Sequence, residues 1–179
     1  MNYCSHCGNK VSLRIPDGDT IARYVCDNCG RIHYQNPRMI VGCIPVWENK
    51  ILLCKRAIEP RYGRWTIPAG FLENNETAEQ GAIRETEEEA GADVSIENLH
   101  ALYSLPHVNQ VYAIFLAKMK SIHFKEGEET LECRFFTTDE IPWEEIAFTA
   151  VTFSLKKYVE SLKDNLSKTY LGTLDRKDD

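Results

Sequence analysis

Residues 70–92 read GFLENNETAEQGAIRETEEEAGA, and this stretch decides the fold of the chain. Between Thr77 and Ala90 it contains no proline and is rich in Ala, Glu, Gln and Arg, which all have high helix propensity. Gly91 follows directly, at the place where a glycine commonly ends a helix. The pattern therefore predicts a helix that begins near Thr77 and ends before Gly91.

Three glutamates of this predicted helix, Glu85, Glu88 and Glu89, are spaced at i, i+3 and i+4. On a helix this spacing gathers their carboxylates on one face, where like charges repel each other. Mg²⁺ binds carboxylate oxygens together with water and substrate phosphates, so this face is a candidate metal site. A solvated acidic face is the alternative that charge patterning alone leaves open.

The order of charged residues and glycines across this stretch matches the Nudix box, a 23-residue signature that is far more specific than a run of glutamates. The matching positions are Gly70, Glu76, Arg84, Glu85, Glu88, Glu89 and Gly91. The chain therefore resembles the Nudix hydrolases. This resemblance implies a loop, helix and loop that hold Mg²⁺ or Mn²⁺ and hydrolyse a nucleoside diphosphate linked to another group.

The resemblance also implies roles for individual residues. It assigns the catalytic metal to Glu85, Glu88 and Glu89. Arg84 would orient a glutamate of this cluster, and Glu76 would have a structural role. Thr86 and Ala92 stand where the family usually has bulky aliphatic residues, which concerns the packing of the helix rather than its chemistry.

A further glutamate is expected from the loop that precedes a late strand. Zinc-ribbon Nudix enzymes carry a glutamate at the place of Glu129, which would be a metal ligand or a base. Three neighbours are close enough to compete with it: Glu126, Glu128 and Glu132. In this chemistry metal ions neutralise the phosphate oxygens, a metal-bound water supplies the nucleophile, and one glutamate can act as the base.

The four N-terminal cysteines form two CxxC pairs, Cys4-Cys7 and Cys26-Cys29, separated by eighteen residues. This is the spacing of a four-thiolate zinc site. Residues 11–15 and 22–25 alternate as two short strands, so we predict a zinc ribbon that needs its metal to fold and has a structural or dimer-forming role. A redox dithiol pair is the alternative, and His6 could compete as a ligand.

The remaining pattern predicts an α+β chain in three parts: a zinc ribbon over 1–36, a catalytic domain over 37–168 and a polar tail over 169–179. Apolar runs predict strands at 39–47, 51–56, 94–96, 99–105, 111–119 and 131–136. Helical spacing of apolar residues predicts a closing amphipathic helix over about 147–166. The resemblance specifies these elements as the Nudix α/β/α sandwich around a mixed sheet.

The composition argues against two classes of partner. A formal charge of −6 and a pI near 5.4 do not favour general affinity for nucleic acid or for anionic membranes. The chain has no apolar run long enough to span a membrane, and its N-terminus lacks the apolar core of a signal peptide. We therefore expect a soluble cytoplasmic protein with a small-molecule substrate.

The stretch after the box bears on the substrate. NADH pyrophosphatases carry an SQPWPFPxS motif there, whereas this chain has SLPHVNQVY at 104–112. That segment, with CRFF at 133–136 and DEIP at 139–142, resembles the plant chloroplast FAD pyrophosphatase group and its bacterial relatives, so we rank FAD and ADP-ribose above NADH. The candidate substrate-binding residues are Tyr34, Arg38, Arg56, His107, Gln110 and Tyr112.

Two alternatives remain open. An NADH pyrophosphatase or an NAD-cap RNA hydrolase would use the same catalytic face, although the acidic charge does not favour a long RNA. A ligand-sensing regulator built on an inactive Nudix domain is disfavoured because the glutamate set is complete. The family suggests a homodimer.

Overall fold

The computed structural model describes residues 1–164 and 168–174 of the chain. The chain divides into two compact units, Met1–Pro37 and Arg38–Asp179. The division falls one residue beyond the expected end of the ribbon.

The first unit contains a three-stranded antiparallel sheet of β1 (Val11–Arg14), β2 (Arg23–Cys26) and β3 (Ile32–His33). The strands predicted at 11–15 and 22–25 correspond to β1 and β2. Each CxxC turn is closed by a main-chain hydrogen bond, from the Gly8 N–H to the Cys4 carbonyl (2.9 Å) and from the Gly30 N–H to the Cys26 carbonyl (3.1 Å).

The second unit contains an eight-stranded mixed sheet. Its strands are β4 (Arg38–Trp47), β5 (Lys50–Arg56), β6 (Trp65–Thr66), β7 (Ala69–Phe71), β8 (Val94–Leu105), β9 (Gln110–Met119), β10 (Thr130–Phe136) and β11 (Tyr170–Thr173). Their order is β10-β5-β4-β9-β8-β11, with β6 paired to β5 and β7 paired to β4. β4 is parallel to β9 and β11 is parallel to β8, while the other pairs are antiparallel.

Two helices, α1 (Ala78–Ala90) and α2 (Thr149–Asp164), pack on opposite faces of this sheet. Successive residues of β4 point to opposite faces, as the period of a strand requires. Val41 packs in a core cluster that contains Ala82 of α1, and Ile40 packs in a second cluster that contains Val151 of α2. The predicted α+β sandwich is therefore confirmed. Among the described residues, no helix combines the length and the apolar character needed to cross a membrane.

Two predicted boundaries change. The segments at 94–96 and 99–105 form one strand, β8, which pairs with β9 through two register shifts. The closing helix covers 149–164, and residues 165 and 166 lie outside the described part of the chain.

The segment predicted as a polar tail from residue 169 includes a strand. Residues 170–173 form β11, which pairs with the edge of β8. Four residues of mixed polarity carry too weak a pattern to predict a strand, and this one is stabilised by main-chain hydrogen bonds to an edge that already exists. Residues 175–179 lie outside the described part.

Candidate active site

Both ends of α1 are capped, which fixes where the helix that carries the glutamates begins and ends. At the N-terminus Thr77 Oγ1 accepts a hydrogen bond from the Gln80 N–H (3.2 Å), and the Gln80 side chain accepts one from the Thr77 N–H (2.8 Å). At the C-terminus Gly91 has a left-handed backbone (φ 55°), and its N–H donates to the Glu87 carbonyl (2.8 Å). The predicted helix is confirmed at both ends.

Arg84 connects the glutamates of the box. Its Nε and Nη2 donate to the two carboxylate oxygens of Glu76 (3.0 and 2.8 Å), and Nη2 also donates to the Phe71 carbonyl (3.1 Å). Its Nη1 donates to Glu85 (2.7 Å) and to Glu88 (3.1 Å). The hydrogen bonds from Arg84 lower the pKa of Glu76 to about 2. Glu76 therefore stays ionised and fixes the Arg84 guanidinium. Arg84 in turn positions the Glu85 and Glu88 carboxylates.

Glu85 and Glu89 lie against β7. The Ala69 N–H donates to Glu89 Oε2 (3.0 Å), and Glu89 is only 9% exposed. Gly70 lies directly beside Glu85: a Cβ at this position would overlap the Glu85 carboxylate and displace it. Burial raises the pKa of Glu89 to about 7 and also raises the pKa of Glu85. A bound cation would offset the cost of burying these carboxylates, so the donor set fits a hard divalent metal.

The loop before β10 is held against the C-terminus of α1. The Lys125 N–H donates to the Ala90 carbonyl (2.8 Å), and the Gly127 N–H donates to the Glu89 carbonyl (3.1 Å). These bonds satisfy two carbonyls that a helix end leaves without partners. A Cβ on Gly127 would overlap the Glu88 carbonyl, so the loop can approach this closely only with glycine there. The attachment brings the acidic residues of the loop to the glutamate face.

The four acidic residues of this loop and the start of β10 point in different directions. Glu126 Oε1 accepts a hydrogen bond from the Cys133 N–H (3.4 Å), and Glu132 Oε2 lies 3.9 Å from Lys55 Nζ. The other two line a cavity with the box glutamates: Glu128 and Glu129. Besides burial, the negative charge of Glu129 contributes to the raised pKa of both Glu85 and Glu89.

The cavity has a volume of about 1130 Å³ and two chemically different sides. The acidic side contains Arg84, Glu85, Glu88, Glu89 and Glu129. The apolar side contains Ile40, Leu105, Tyr112, Phe148, Val151 and Leu174, which all belong to or pack against one core cluster. Arg56 also lines the cavity: its Nε donates to the Pro60 carbonyl (2.9 Å) and its guanidinium lies 5.0 Å from the centroid of the Phe148 ring. The arrangement brings carboxylates, arginines and apolar side chains around the same space.

Four of the six predicted substrate-binding residues line this cavity: Arg56, His107, Gln110 and Tyr112. Arg38 is not among the lining residues that the structure describes, and its guanidinium lies 5.1 Å from the centroid of the Phe71 ring. Tyr34 belongs to the first unit, where the Arg23 guanidinium lies 5.3 Å from its ring centroid. The roles of all six in substrate binding stay predictions.

Several lining residues were not singled out from the sequence: Ile58, Pro60, Arg61, Phe148, Thr149 and Leu174. They come from the loop after β5, from the N-terminal end of α2 and from the residue after β11. Their local patterns carry no signal, because only the packing of elements that are distant in sequence brings them together.

The four N-terminal cysteines converge within the first unit. Each has a sulfur within 4.8 Å of the sulfurs of the other three: Cys4, Cys7, Cys26 and Cys29. This arrangement fits a closed tetrahedral zinc site better than two separate dithiols. His6 is exposed, whereas His33 Nε2 lies 3.3 Å from the Cys4 sulfur, a contact that the sequence did not indicate. His33 can therefore donate a hydrogen bond to a ligand rather than act as one.

Two family models match the chain. The NUDIX domain model matches residues 36–157, and the Nudix N-terminal model, a zinc ribbon, matches residues 2–35. The chain belongs to the Nudix family.

Named relatives and solved structures agree with this assignment. A Nudix hydrolase from Nitrosomonas europaea, known from a crystal structure, is 56% identical, with a TM-score of 0.93 over 97% of this chain and 99% of that chain. An ADP-ribose pyrophosphatase from Methanocaldococcus jannaschii is 33% identical over 61% of this chain and 67% of its own length. An NAD-capped RNA hydrolase NudC from Vibrio vulnificus is 33% identical over 79% of this chain. The chain spans about half the length of that relative (53%).

Nudix enzymes use divalent metals such as Mg²⁺ or Mn²⁺, and the four thiolates of the ribbon suit structural zinc. Among the residues described, the four cysteines are the one group in which three or more Cys, His, Asp or Glu ligand atoms lie within 4.8 Å of one another. The carboxylates of the Nudix box are more widely spaced, since Glu89 bonds the Ala69 N–H while Glu85 bonds Arg84. Water and substrate oxygens would complete the ligand shell of Mg²⁺ at this face.

Glu129→Gln is expected to lower kcat about 10²-fold, the usual scale for losing a positioned general acid or base. Glu132→Gln should lower kcat by no more than about tenfold, because Glu132 Oε2 lies 3.9 Å from Lys55 Nζ and the residue does not line the cavity as described. Glu128→Gln, at the neighbouring glutamate that also lines the cavity, is likewise expected to lower kcat by no more than about tenfold. Steady-state kinetics of the three variants on one diphosphate substrate measure the difference. A larger loss in Glu128→Gln would transfer the role to Glu128.

Proposed function

We propose that this Nudix enzyme hydrolyses the diphosphate bond of a nucleoside diphosphate linked to a second group, and that FAD and ADP-ribose are better substrates than NADH. The observation that carries the proposal is the cavity of about 1130 Å³ with carboxylates on one side and apolar and aromatic side chains on the other. Pockets for drug-sized ligands are typically about 300–1,000 Å³. The cavity therefore suits a substrate in which a diphosphate joins two large organic groups.

The reaction requires one water. An oxygen of that water bonds to one phosphorus of the bridge, and the bond from this phosphorus to the bridging oxygen breaks. FAD would give AMP and FMN, and ADP-ribose would give AMP and ribose 5-phosphate. When bound, a divalent metal would neutralise the phosphate oxygens and lower the pKa of the attacking water.

The carboxylates divide this work by their positions. Glu85, Glu88 and Glu89 would hold the metal, because they share one face of α1 and line the cavity. Glu129 lines the same cavity from the loop before β10 and would accept the proton of the water. The two glutamates that burial leaves with a raised pKa, Glu85 and Glu89, are the ones that a cation would stabilise most as carboxylates.

Two of the arginines that line the cavity, Arg84 and Arg56, have different tasks. Arg84 directs its guanidinium nitrogens to carboxylates and to one carbonyl, so it positions ligands. Arg56 donates its Nε to the Pro60 carbonyl, while its Nη1 and Nη2 donate no hydrogen bond to any residue in the described part of the chain. These two nitrogens would bind a phosphate oxygen of the substrate.

The names of the relatives support two substrate classes. The relative from Methanocaldococcus jannaschii is named an ADP-ribose pyrophosphatase, which supports ADP-ribose for this chain. Relatives named NAD-capped RNA hydrolase NudC support a second candidate, the hydrolysis of a dinucleotide at an RNA end. The formal charge of −6 does not favour a long RNA, so we rank this candidate second.

The test is a substrate panel of FAD, ADP-ribose, NADH, dATP and an NAD-capped RNA, each with Mg²⁺ and with Mn²⁺. We expect kcat/KM for FAD or ADP-ribose to exceed that for the other three by about tenfold or more, which corresponds to about 1.4 kcal/mol of transition-state preference. AMP should appear as a product with both preferred substrates. A tenfold preference for NADH, dATP or the capped RNA over both would reject the ranking and leave the family assignment intact. The expected cytoplasmic location and homodimeric state stay predictions.

A further inference from the structure

The residue that follows β11 reaches the cavity. Leu174 packs against the core cluster that contains Val151 of α2, and it lines the apolar side of the cavity. We propose that Leu174 is a specificity-determining residue that holds a fused aromatic ring of the substrate. This inference rests on the proposed function, because it assumes that a nucleotide derivative occupies the cavity.

β11 is anchored on both sides of its paired residues. Before the strand, Thr169 Oγ1 donates to the Leu99 carbonyl (2.7 Å), and after it the Leu174 N–H donates to the Ser104 carbonyl (3.1 Å). Between these bonds the four residues of β11 pair in register with β8. Main-chain hydrogen bonds therefore hold Leu174 at a defined place beside the end of β8.

Leu174 belongs to an apolar wall with Leu105, Tyr112 and Val151, since these three form part of the core cluster against which it packs and all four line the cavity. Leu105 and Tyr112 are each 9% exposed, so the wall is the accessible edge of the core rather than a loop surface. Apolar and aromatic side chains bind flat ring systems by burying their area and by stacking.

The charged part of the substrate belongs on the other side of the cavity. A diphosphate needs cations, and the groups that would supply or hold them are Arg56 and the box glutamates. The apolar wall is then left for an uncharged part of the molecule. Two sources offer a fused ring there: adenine, which FAD and ADP-ribose share, and the isoalloxazine ring, which only FAD carries.

The experiment compares Leu174, which directly follows β11, with Leu171, which lies within β11. Leu174→Gln and Leu174→Ala remove the aliphatic contact, while Leu171→Gln makes the same chemical change at a leucine of β11 that is 76% exposed and does not line the cavity as described. For each protein, kcat and KM are measured separately with ADP-ribose and with FAD, and thermal unfolding is followed. Leu174→Ala decides the result if Leu174→Gln does not fold.

We expect the Leu174 variants to raise KM by about tenfold for at least one of the two substrates while kcat stays within about threefold of the wild type, since the ring is remote from the bond that breaks. Leu171→Gln should leave both constants within about twofold. A rise for both substrates assigns the wall to adenine, and a rise for FAD alone assigns it to isoalloxazine.

Two results would overturn the inference. One is an unchanged KM for both substrates in a folded Leu174 variant, and the other is an equal rise in Leu171→Gln, which would indicate a general effect on β11. Wild-type protein that hydrolyses neither substrate would instead reject the proposed function, and the specificity role would fall with it.

Discussion

Glu89→Gln should lower kcat about 10²-fold or more while the protein keeps its fold, the scale of losing a preorganised electrostatic group. Glu89 is buried against β7, where its carboxylate accepts a hydrogen bond from the Ala69 N–H. The amide of glutamine has the same shape but no charge to hold a metal ion. Kinetics over a range of Mg²⁺ concentrations, with thermal unfolding as the measure of folding, give the result.

Glu87→Gln is the matched control for this change. Glu87 lies two residues away on α1, is exposed and is not among the residues described as lining the cavity. Its variant should retain kcat within about threefold, because it loses the same charge from the same helix without losing a group at the site. If Glu89→Gln retains activity within about threefold of wild type, the catalytic metal must lie elsewhere.

Cys26→Ser should remove most of the zinc and unfold the ribbon. The Cys26 side chain is fully buried, and its sulfur lies 3.4 Å from the Cys7 sulfur. Structural zinc sites contribute apparent binding free energies of about 10–16 kcal/mol in zinc-finger peptides, and a unit with only three short strands needs such a contribution. Metal analysis of the purified protein and susceptibility of the first unit to proteolysis measure the two effects.

Two further variants test whether side chains other than the four cysteines are needed to bind the zinc. His6→Ala should keep its zinc, because His6 is exposed and four thiolates complete the site. Glu89→Gln should also keep its zinc, since thiolates select Zn²⁺ whereas carboxylates select Mg²⁺ or Mn²⁺. Less than about half a zinc per wild-type chain, or full stability after Cys26→Ser, would contradict the zinc-ribbon assignment.

Local spacing accounts for what could be predicted of the site. The capping residues Thr77 and Gly91, the i, i+3, i+4 glutamates and the two CxxC turns all act within a few residues of chain, where the geometry of a helix or a tight turn leaves little freedom. The apolar runs likewise predicted the main strands and the face of α2, because burial on a sheet or helix imposes a period.

Contacts between distant segments account for what could not be predicted. The sequence could not separate Glu129 from Glu126, because the choice depends on how the loop bonds to the end of α1.

β11 and Leu174 could not be predicted for the same reason. β11 forms by pairing with the edge of β8, and Leu174 reaches the cavity through that pairing. The sequence alone therefore determined the glutamate-bearing helix α1, the group of four cysteines and the fold class. The tertiary structure alone decided which loop glutamates and which apolar side chains line the cavity, since both depend on hydrogen bonds between segments tens of residues apart.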